Sequence, residues 1–299
     1  MKGVLVVDKP QGATSFDLVR ALRAVLRTKK VGHCGTLDPM ATGVMVLCVG
    51  KATRLVPYLS AADKVYEATL VFGTTTTTDD AEGEALSTRP VPSLSHAQIE
   101  GLLEGFRGAQ MQVPPQVSAL HVGGERAYVR ARRGEVVAIA ARPVDVQALT
   151  CLAWEAPELR VSTRVSKGTY IRSLARDLGE AVGCGAHLSA LRRTRSGAFS
   201  LGQAVDGEAL IARRLRLESA DLISPWLALE GMLPVDLVAD EALAFRQGKK
   251  LPWQSAWGEA RAGTLVRCRD PEGELCGVAE CVEIDGEHRL RVRMAMVEP

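Results

Sequence analysis

The residues with the clearest capacity for chemistry lie in Gly32-His33-Cys34-Gly35-Thr36-Leu37-Asp38-Pro39-Met40-Ala41-Thr42-Gly43. Pro39 disfavours the α region for Asp38, and Gly35 and Gly43 let backbone approach a ligand closely, so the carboxylate is expected to project from a loop. Between Arg20 and Arg54 seven Lys or Arg face this single acid. Cations so placed are expected to lower its pKa and keep it ionised, the state that a nucleophile or an electrostatic stabiliser requires. On its own an Asp-Pro in such a loop is more often a plain turn.

Other routes to chemistry fail on their spacing. Gly50-Lys51 is no P-loop, because Met45 stands at the first Gly position and Ala52 replaces the magnesium-ligating Ser or Thr. Gly183-Cys184-Gly185 opens like a dinucleotide fingerprint, but Leu188 occupies the third Gly position. The five histidines (33, 96, 121, 187, 288) show no metal-ligand spacing, and no hydroxyl or thiol is paired with a base. Seven scattered cysteines without a C-x-x-C pair argue against both a disulfide framework and a zinc knuckle. Neither a metal nor a cofactor is expected.

With 299 residues, 46% hydrophobic and 24% charged, the chain has ordinary globular composition and room for about two domains. Its longest apolar runs, 44–49 and 136–141, are far too short to cross a bilayer, and a cytoplasmic protein is expected. The net charge of +2 conceals two basic stretches: the one around Asp38, and Arg160 to Arg216, with eleven Lys or Arg against four acids. Brought together by the fold, they would make a surface suited to a polyphosphate backbone.

The elements that must position Asp38 are legible from pattern. Val4–Val7 reads as a strand, and Thr14 with Asp17 forms a capping box ahead of a helix carrying Phe16, Val19, Leu22 and Leu26 on one face. Residues 32–43 read as loop, 44–49 as a buried strand and 65–72 as an alternating strand that runs into five Thr. Ser95 with Gln98 opens a second helix, and Ile171, Leu174, Ala175 and Leu178 mark a third that stops near Gly183. Residues 116–142 are basic and Gly-containing, which suits an insert. After Pro234 short strand-like pieces dominate, so the expected division is 1–235 and 236–299, the latter mostly β, with Arg289, Arg291 and Arg293 on one face of its last strand. Mixed elements without regular β-α-β alternation favour an α+β fold.

The whole pattern resembles the TruB family of tRNA pseudouridine-55 synthases. The resemblance rests on His33-x-Gly35-Thr36-Leu37-Asp38-Pro39-x-Ala41-Thr42-Gly43, on Lys9-Pro10 and Gly12-x-Thr14-Ser15, and on Gly50-Lys51-Ala52-Thr53. It continues through Tyr66, Gly73 to Asp79, Gln112-Val113-Pro114-Pro115, Ser166-Lys167-Gly168-Thr169-Tyr170-Ile171-Arg172-Ser173-Leu174 and Leu191-Arg192-Arg193-Thr194. What it implies is a mixed, largely antiparallel catalytic sheet with an RNA-gripping insert and a small PUA-like C-terminal domain. The implied enzyme is a cofactor-free isomerase that cleaves the N1–C1′ bond of a uridine in the T loop of tRNA, turns the base and rejoins it through C5. Asp38 would be the catalytic aspartate, acting at C1′, at C6 or in elimination at C2′. Arg172 would orient it, Lys9 and Pro10 would brace the wall, and Tyr66, Tyr170, Leu191 and His33 would hold or replace the flipped base. Arg126, Arg132, Lys167, Arg192 and Arg193 would bind the RNA backbone. The implied partner is the T-arm of tRNA, with the protein acting as a monomer and with a tRNA-folding activity alongside the chemistry. One departure stands in the insert, where His121 replaces the usual Lys. A different class, an RNA-binding and folding module without chemistry, would share the same surface.

Overall fold

The computed structural model describes residues 1–118, 120–122, 124–126, 130, 133, 137–259 and 261–296. Among them ten strands form one mixed sheet, in the order Val205–Asp206, Gly3–Lys9, Thr42–Val49, Ala186–Ser196, Lys64–Phe72, Glu158–Val165, Arg142–Glu155 and Gly108–Gln112. Val31–His33 and Phe199–Ser200 pair with it off this path. Gly3–Lys9 runs parallel to Val205–Asp206, and Thr42–Val49 parallel to Ala186–Ser196; the other pairings are antiparallel. The chain is therefore α+β with a largely antiparallel sheet.

Register decides what meets across this sheet. Lys9 pairs with Gly43, Gly43 with Arg193, Arg193 with Tyr66 and Tyr66 with Thr163, so residues from five strands line up in one row on one face. Gly43 has φ 103°, and a Cβ there would lie 2.2 Å from the Arg193 carbonyl oxygen. Glycine is needed at this position for the approach of two strands, where the sequence suggested approach of a ligand.

Two helices cover that face. Helix Ser15–Val25 starts at the expected capping box, in which the Thr14 hydroxyl accepts from Asp17 N and the Asp17 carboxylate accepts from Thr14 N. It buries Leu18, Val19 and Leu22 over Leu5, Val7, Met45 and Leu47. Helix Ile171–Val182 lays Leu174, Ala175 and Leu178 over Ala68, Leu70 and Leu188 and ends at Gly183, whose φ of 88° closes the last turn. The helix His96–Glu104 likewise begins at the Ser95/Gln98 box. Residues 32–43 are not all loop: Val31–His33 is a strand paired with Val49, Cys48 and Leu47, too short to show alternation.

The C-terminal sheet has the order Leu233–Asp236, Leu265–Arg269, Leu275–Ile284, Glu287–Ala295, Leu251–Pro252. By hydrogen bonding it begins at Leu233, inside the span expected to belong to the first domain. Leu275 and Val278 join Val4, Val6, Val44, Val46 and Cys48 on the back of the main sheet, so the second sheet is docked through a shared apolar layer. Arg267 and Arg269 stack over Trp226 at 4.1 and 4.7 Å from its ring centre. No helix among the described residues is long and apolar enough to cross a membrane.

Candidate active site

The turn from Gly35 to Ala41 leaves its carbonyls outside any ladder, and such groups need donors from elsewhere. The fold supplies buried ones. Lys9, with no solvent exposure, directs Nζ to the carbonyls of Pro10 (3.0 Å), Pro39 (3.1 Å) and Ala41 (2.6 Å). Arg193, 2% exposed, donates Nε to Val44 O (2.6 Å) and Nη2 to Gly35 O (3.3 Å). The Ser15 hydroxyl donates to Leu37 O and accepts from Leu37 N, which pins the first turn of helix Ser15–Val25 to the same loop. Burial pushes the Lys9 ammonium down to about 8, while the Asp38 charge pulls the other way.

On this braced loop the Asp38 side chain keeps 35% of its surface open, and Arg172, 5% exposed, brings Nε to 2.9 Å from its Oδ2. The Nε–H has no hydrogen-bond partner, so the contact is an ion pair without hydrogen-bond alignment. The guanidinium is held from behind: Nη1 donates to Thr78 O (3.0 Å) and lies 3.5 Å from Asp80 Oδ2, and Nη2 donates to Val117 O (3.0 Å). Asp80 is itself fixed by Glu82 N and the Thr78 hydroxyl. One turn along the helix, Arg176 pairs with Asp79 at 3.0 Å.

The expectation that neighbouring cations lower the Asp38 pKa does not hold. Burial raises it, the Arg172 charge opposes that shift, and Asp80 adds to it. Asp38 is the lone acid of its stretch in sequence only; the turn after the threonine run brings Asp80 and Glu82 into its field. The threonine run, unremarkable as a polar strand end, thus supplies the scaffold for Arg172.

Beside the pair stands an apolar wall. Tyr66 and Leu191, each 8% exposed, pack in one cluster with Leu37, Met40, Ala41 and Ile171. Among the described residues no group hydrogen-bonds the Tyr66 hydroxyl. Tyr170 precedes helix Ile171–Val182, its backbone N–H and C=O both taken by the Gln112 side chain (2.8 and 3.1 Å). Burial raises the Tyr170 phenol, with Arg172 opposing and Asp38 adding to the shift. His33 is half-buried, its Nδ1 accepting weakly from Gly35 N at 3.4 Å, and burial with the Arg193 charge lowers its pKa. The structure thus places Lys9, Pro10, Tyr66, Tyr170, Arg172 and Leu191 against the loop that carries Asp38, with His33 at its start, and the open side of this carboxylate is the cleft in which chemistry can occur.

The cationic expectations divide. Lys167 is exposed in the turn before Tyr170. Arg192 is part-exposed but holds Asp8 through two hydrogen bonds, 2.7 and 3.1 Å. Arg193 is not a surface phosphate contact: it is buried and its donors are spent on the Asp38 loop. Arg126 lies in a short hairpin, Glu125–Arg126 paired with His121–Val122, and Arg132 lies outside the described residues. Gln116 closes the base of this insert by bonding both N–H and C=O of Val137 at 3.0 Å.

Comparison with known proteins decides the lineage. Residues 23–171 match the N-terminal domain of TruB family pseudouridylate synthase, and residues 172–236 match the tRNA pseudouridylate synthase B C-terminal domain. A tRNA pseudouridine synthase B of Xanthomonas campestris pv. campestris (strain B100) is 44% identical over 96% of this chain and 92% of the relative. One of Synechococcus sp. (strain CC9311) is 46% identical over 86% and 87%. The chain belongs to the TruB family of pseudouridine synthases. A solved Cbf5-Nop10-Gar1 complex contains a chain with the same fold, at TM-score 0.75 and 25% identity, covering 99% of this chain and 85% of that one. A TruB pseudouridine synthase is an isomerase, and a fixed carboxylate between a guanidinium and an apolar wall suits bond exchange at a sugar–base junction.

Asp80 is a part of this TruB site that pattern reading did not single out, while Ser15 and Gln112 were named as motif positions without a role. A signal for Asp80 was present: Arg172 and Arg176 share one helix face at i, i+4, and consecutive acids Asp79 and Asp80 are what two such cations need.

Proposed function

We propose that this TruB family protein converts uridine to pseudouridine in the T loop of tRNA, with Asp38 as the catalytic aspartate. The observation that carries the reading is the Arg172–Asp38 pair at 2.9 Å, set on a braced loop against Tyr66 and Leu191. The names of the full-length relatives, each a tRNA pseudouridine synthase B, supply the RNA class. A uridine stacked in a loop hides its glycosidic bond, so the base must leave its stack, at a cost of a few kcal/mol that an aromatic face such as Tyr66 offsets. Asp38 then acts at the sugar–base junction while N1–C1′ breaks. The detached ring turns, C5 bonds to C1′, the C5 hydrogen leaves as a proton to solvent, and N1 gains one. Arg172 is a positioning residue: it holds the carboxylate and keeps it charged against burial. Lys9 and Pro10 fix the loop, Tyr170 and Leu191 close the pocket, and His33 fills the space left by the base. Arg126, Arg132, Lys167 and Arg192 serve the RNA backbone, and the C-terminal sheet is a PUA-like RNA-binding domain.

The test is tritium release from a tRNA transcript carrying 5-tritiated uridine, comparing wild type with Asp38→Asn at matched RNA binding. Release by wild type alone is expected. Release by both proteins sinks the role of Asp38. Release by neither, with tight binding and faster tRNA refolding, assigns an RNA-folding module instead.

A further inference from the structure

Helix Ser15–Val25 runs away from the catalytic loop with a basic outer edge that the reading above leaves unused. Its first turn is tied to that loop through Ser15 and Leu37, and Gly12 N donates to Pro39 O at 2.8 Å. Its 11 residues span about 16 Å at 1.5 Å per residue. Phe16, at the end nearest the cleft, is 58% exposed and so lies off the buried stripe on which its spacing placed it, with the Arg23 guanidinium 5.8 Å from its centre. Arg27, Lys29 and Lys30, at the far end, are all exposed and have no ion-pair partner among the described residues.

The second basic stretch arrives at the same place. Leu210 lies in one buried cluster with Leu18 and Leu22, and Val25, Leu26, Leu215 and Leu217 all pack against that cluster, which brings segment 207–217 to the helix. Arg213, Arg214 and Arg216 alternate with those leucines, are exposed, and likewise lack an ion-pair partner among the described residues. Two stretches far apart in sequence thus place unneutralised cations side by side, while nearby Arg192 and Arg193 are occupied with Asp8 and the catalytic loop.

We propose that helix Ser15–Val25 and segment 207–217 form a second RNA-docking surface, which takes the sugar–phosphate backbone of the substrate as it leaves the cleft. Three features select RNA. The cations have no carboxylate partner to give up before they meet a phosphate. The aromatic face sits at the cleft end, where an unstacked base neighbouring the target would be presented. The surface is tied through Ser15 to the loop that holds the reacting carboxylate. The proposal rests on the tRNA reading of the cleft, and the experiment separates the two.

The measurement is the dissociation constant of the full chain for an unmodified tRNA transcript across 50 to 300 mM salt, alongside tritium release. Replacing three phosphate contacts, Arg27→Gln/Lys29→Gln/Lys30→Gln, is expected to weaken binding by roughly 10- to 100-fold near 0.1 M salt and to flatten the log K against log salt slope by about 2 to 3. The charge-conserving Arg27→Lys, with an unchanged melting temperature, is expected to keep the slope. Phe16→Ala is expected to raise KM several-fold, and Phe16→Trp to restore it. An unchanged slope in the triple variant overturns the proposal even if wild type releases tritium. So does a response confined to vesicles of anionic lipid, with RNA affinity unaltered. If wild type binds tRNA but releases no tritium, the tRNA reading of the cleft fails, while a flattened slope still supports the surface.

Discussion

The arginines around the cleft and those on the last strand of the C-terminal sheet are the same residue type in opposite circumstances. Arg172 and Arg193 are buried, and nearly every donor meets a carbonyl or a carboxylate. Arg291 and Arg293 share Glu280 at 2.7 and 3.6 Å, and Arg289 pairs with Glu287 at 2.9 Å; the three arginine side chains keep 40–50% of their surface open and Glu280 keeps 20%. The difference lies in what the partners would do alone. Loop carbonyls and Asp80 are shielded from water and have no substitute donor, so the cation completes the structure around it. The strand carboxylates face solvent, and water replaces the arginine.

The sharpest break comes at Arg172. Replacing it with Met leaves Asp80 buried without its cation and the carbonyls of Thr78 and Val117 without donors. Removing one partner of a buried pair costs about 3 to 5 kcal/mol, so Arg172→Met is expected to melt far below wild type and to show no activity. The reverse replacement is expected to be asymmetric. The Asp38 pKa is raised in the folded state, so the fold favours the neutral carboxyl; that stability is fully present below the ordinary 3.8 and is lost as pH rises through the folded value and the buried group takes its charge. At neutral pH Asp38→Asn therefore abolishes turnover while melting at or above the wild-type temperature. Calorimetry on the two variants checks both; equal destabilisation would mean the pair is worth the same from either side.

Next in size is Arg193→Met. Losing a charged donor to Val44 O and Gly35 O is expected to cost about 2 to 3 kcal/mol. Displacement of the Asp38 loop by an ångström would cut turnover by about 100-fold. Had Arg193 been a surface contact, the variant would melt normally and bind RNA more weakly. Melting and RNA affinity measured on one preparation distinguish these outcomes.

Arg193 also marks the limit of what pattern conveys. The capping boxes at Thr14 and Ser95, the stop at Gly183 and the helix through Leu174 and Leu178 are local, set by residues three or four apart, and each appears where the spacing puts it. The loop carrying Asp38 was legible too, from Pro39 and its glycines. What was hidden is non-local. Arg192 and Arg193 look alike in sequence, and only register shows that one reaches Asp8 at the surface while the other lies across Gly43 beneath the loop. Asp80 carried only an indirect signal, in the spacing of Arg172 and Arg176, for the same reason: its value comes from Arg172, 92 residues away by their numbers, across a sheet whose order is not sequential. The raised Asp38 pKa follows, since burial is a property of the assembled layers and the nearby cations are mostly turned to other tasks.

That electrostatic balance gives a smaller effect. If catalysis needs the carboxylate, kcat/KM falls as pH drops through the Asp38 value, and burial puts this limb above the ordinary 3.8. Asp80 is one of the charges holding it there. Asp80→Asn is expected to move the acid limb to lower pH, because a repulsive charge is gone and Arg172 is left to Asp38. A limb that moves up instead would mean that Asp80 matters through Arg172's position rather than its own charge.

The smallest effect is expected at Arg291. Arg291→Ala leaves Glu280 beside Arg293 and open to water, and the strand keeps its ladder, in which Arg291 pairs with Glu280 and Leu290 with Cys281. No main-chain group loses a partner, and Leu290 and Cys281 stay in the core of the second sheet. Melting is therefore expected to match wild type within error at 0.15 M salt, with any difference fading as salt rises, since exposed pairs are screened. A salt-insensitive drop comparable to that of Arg193→Met would show that the arginine face stabilises the sheet through its aliphatic stems. The contrast between the two regions would then rest on packing, with charge no longer the distinction.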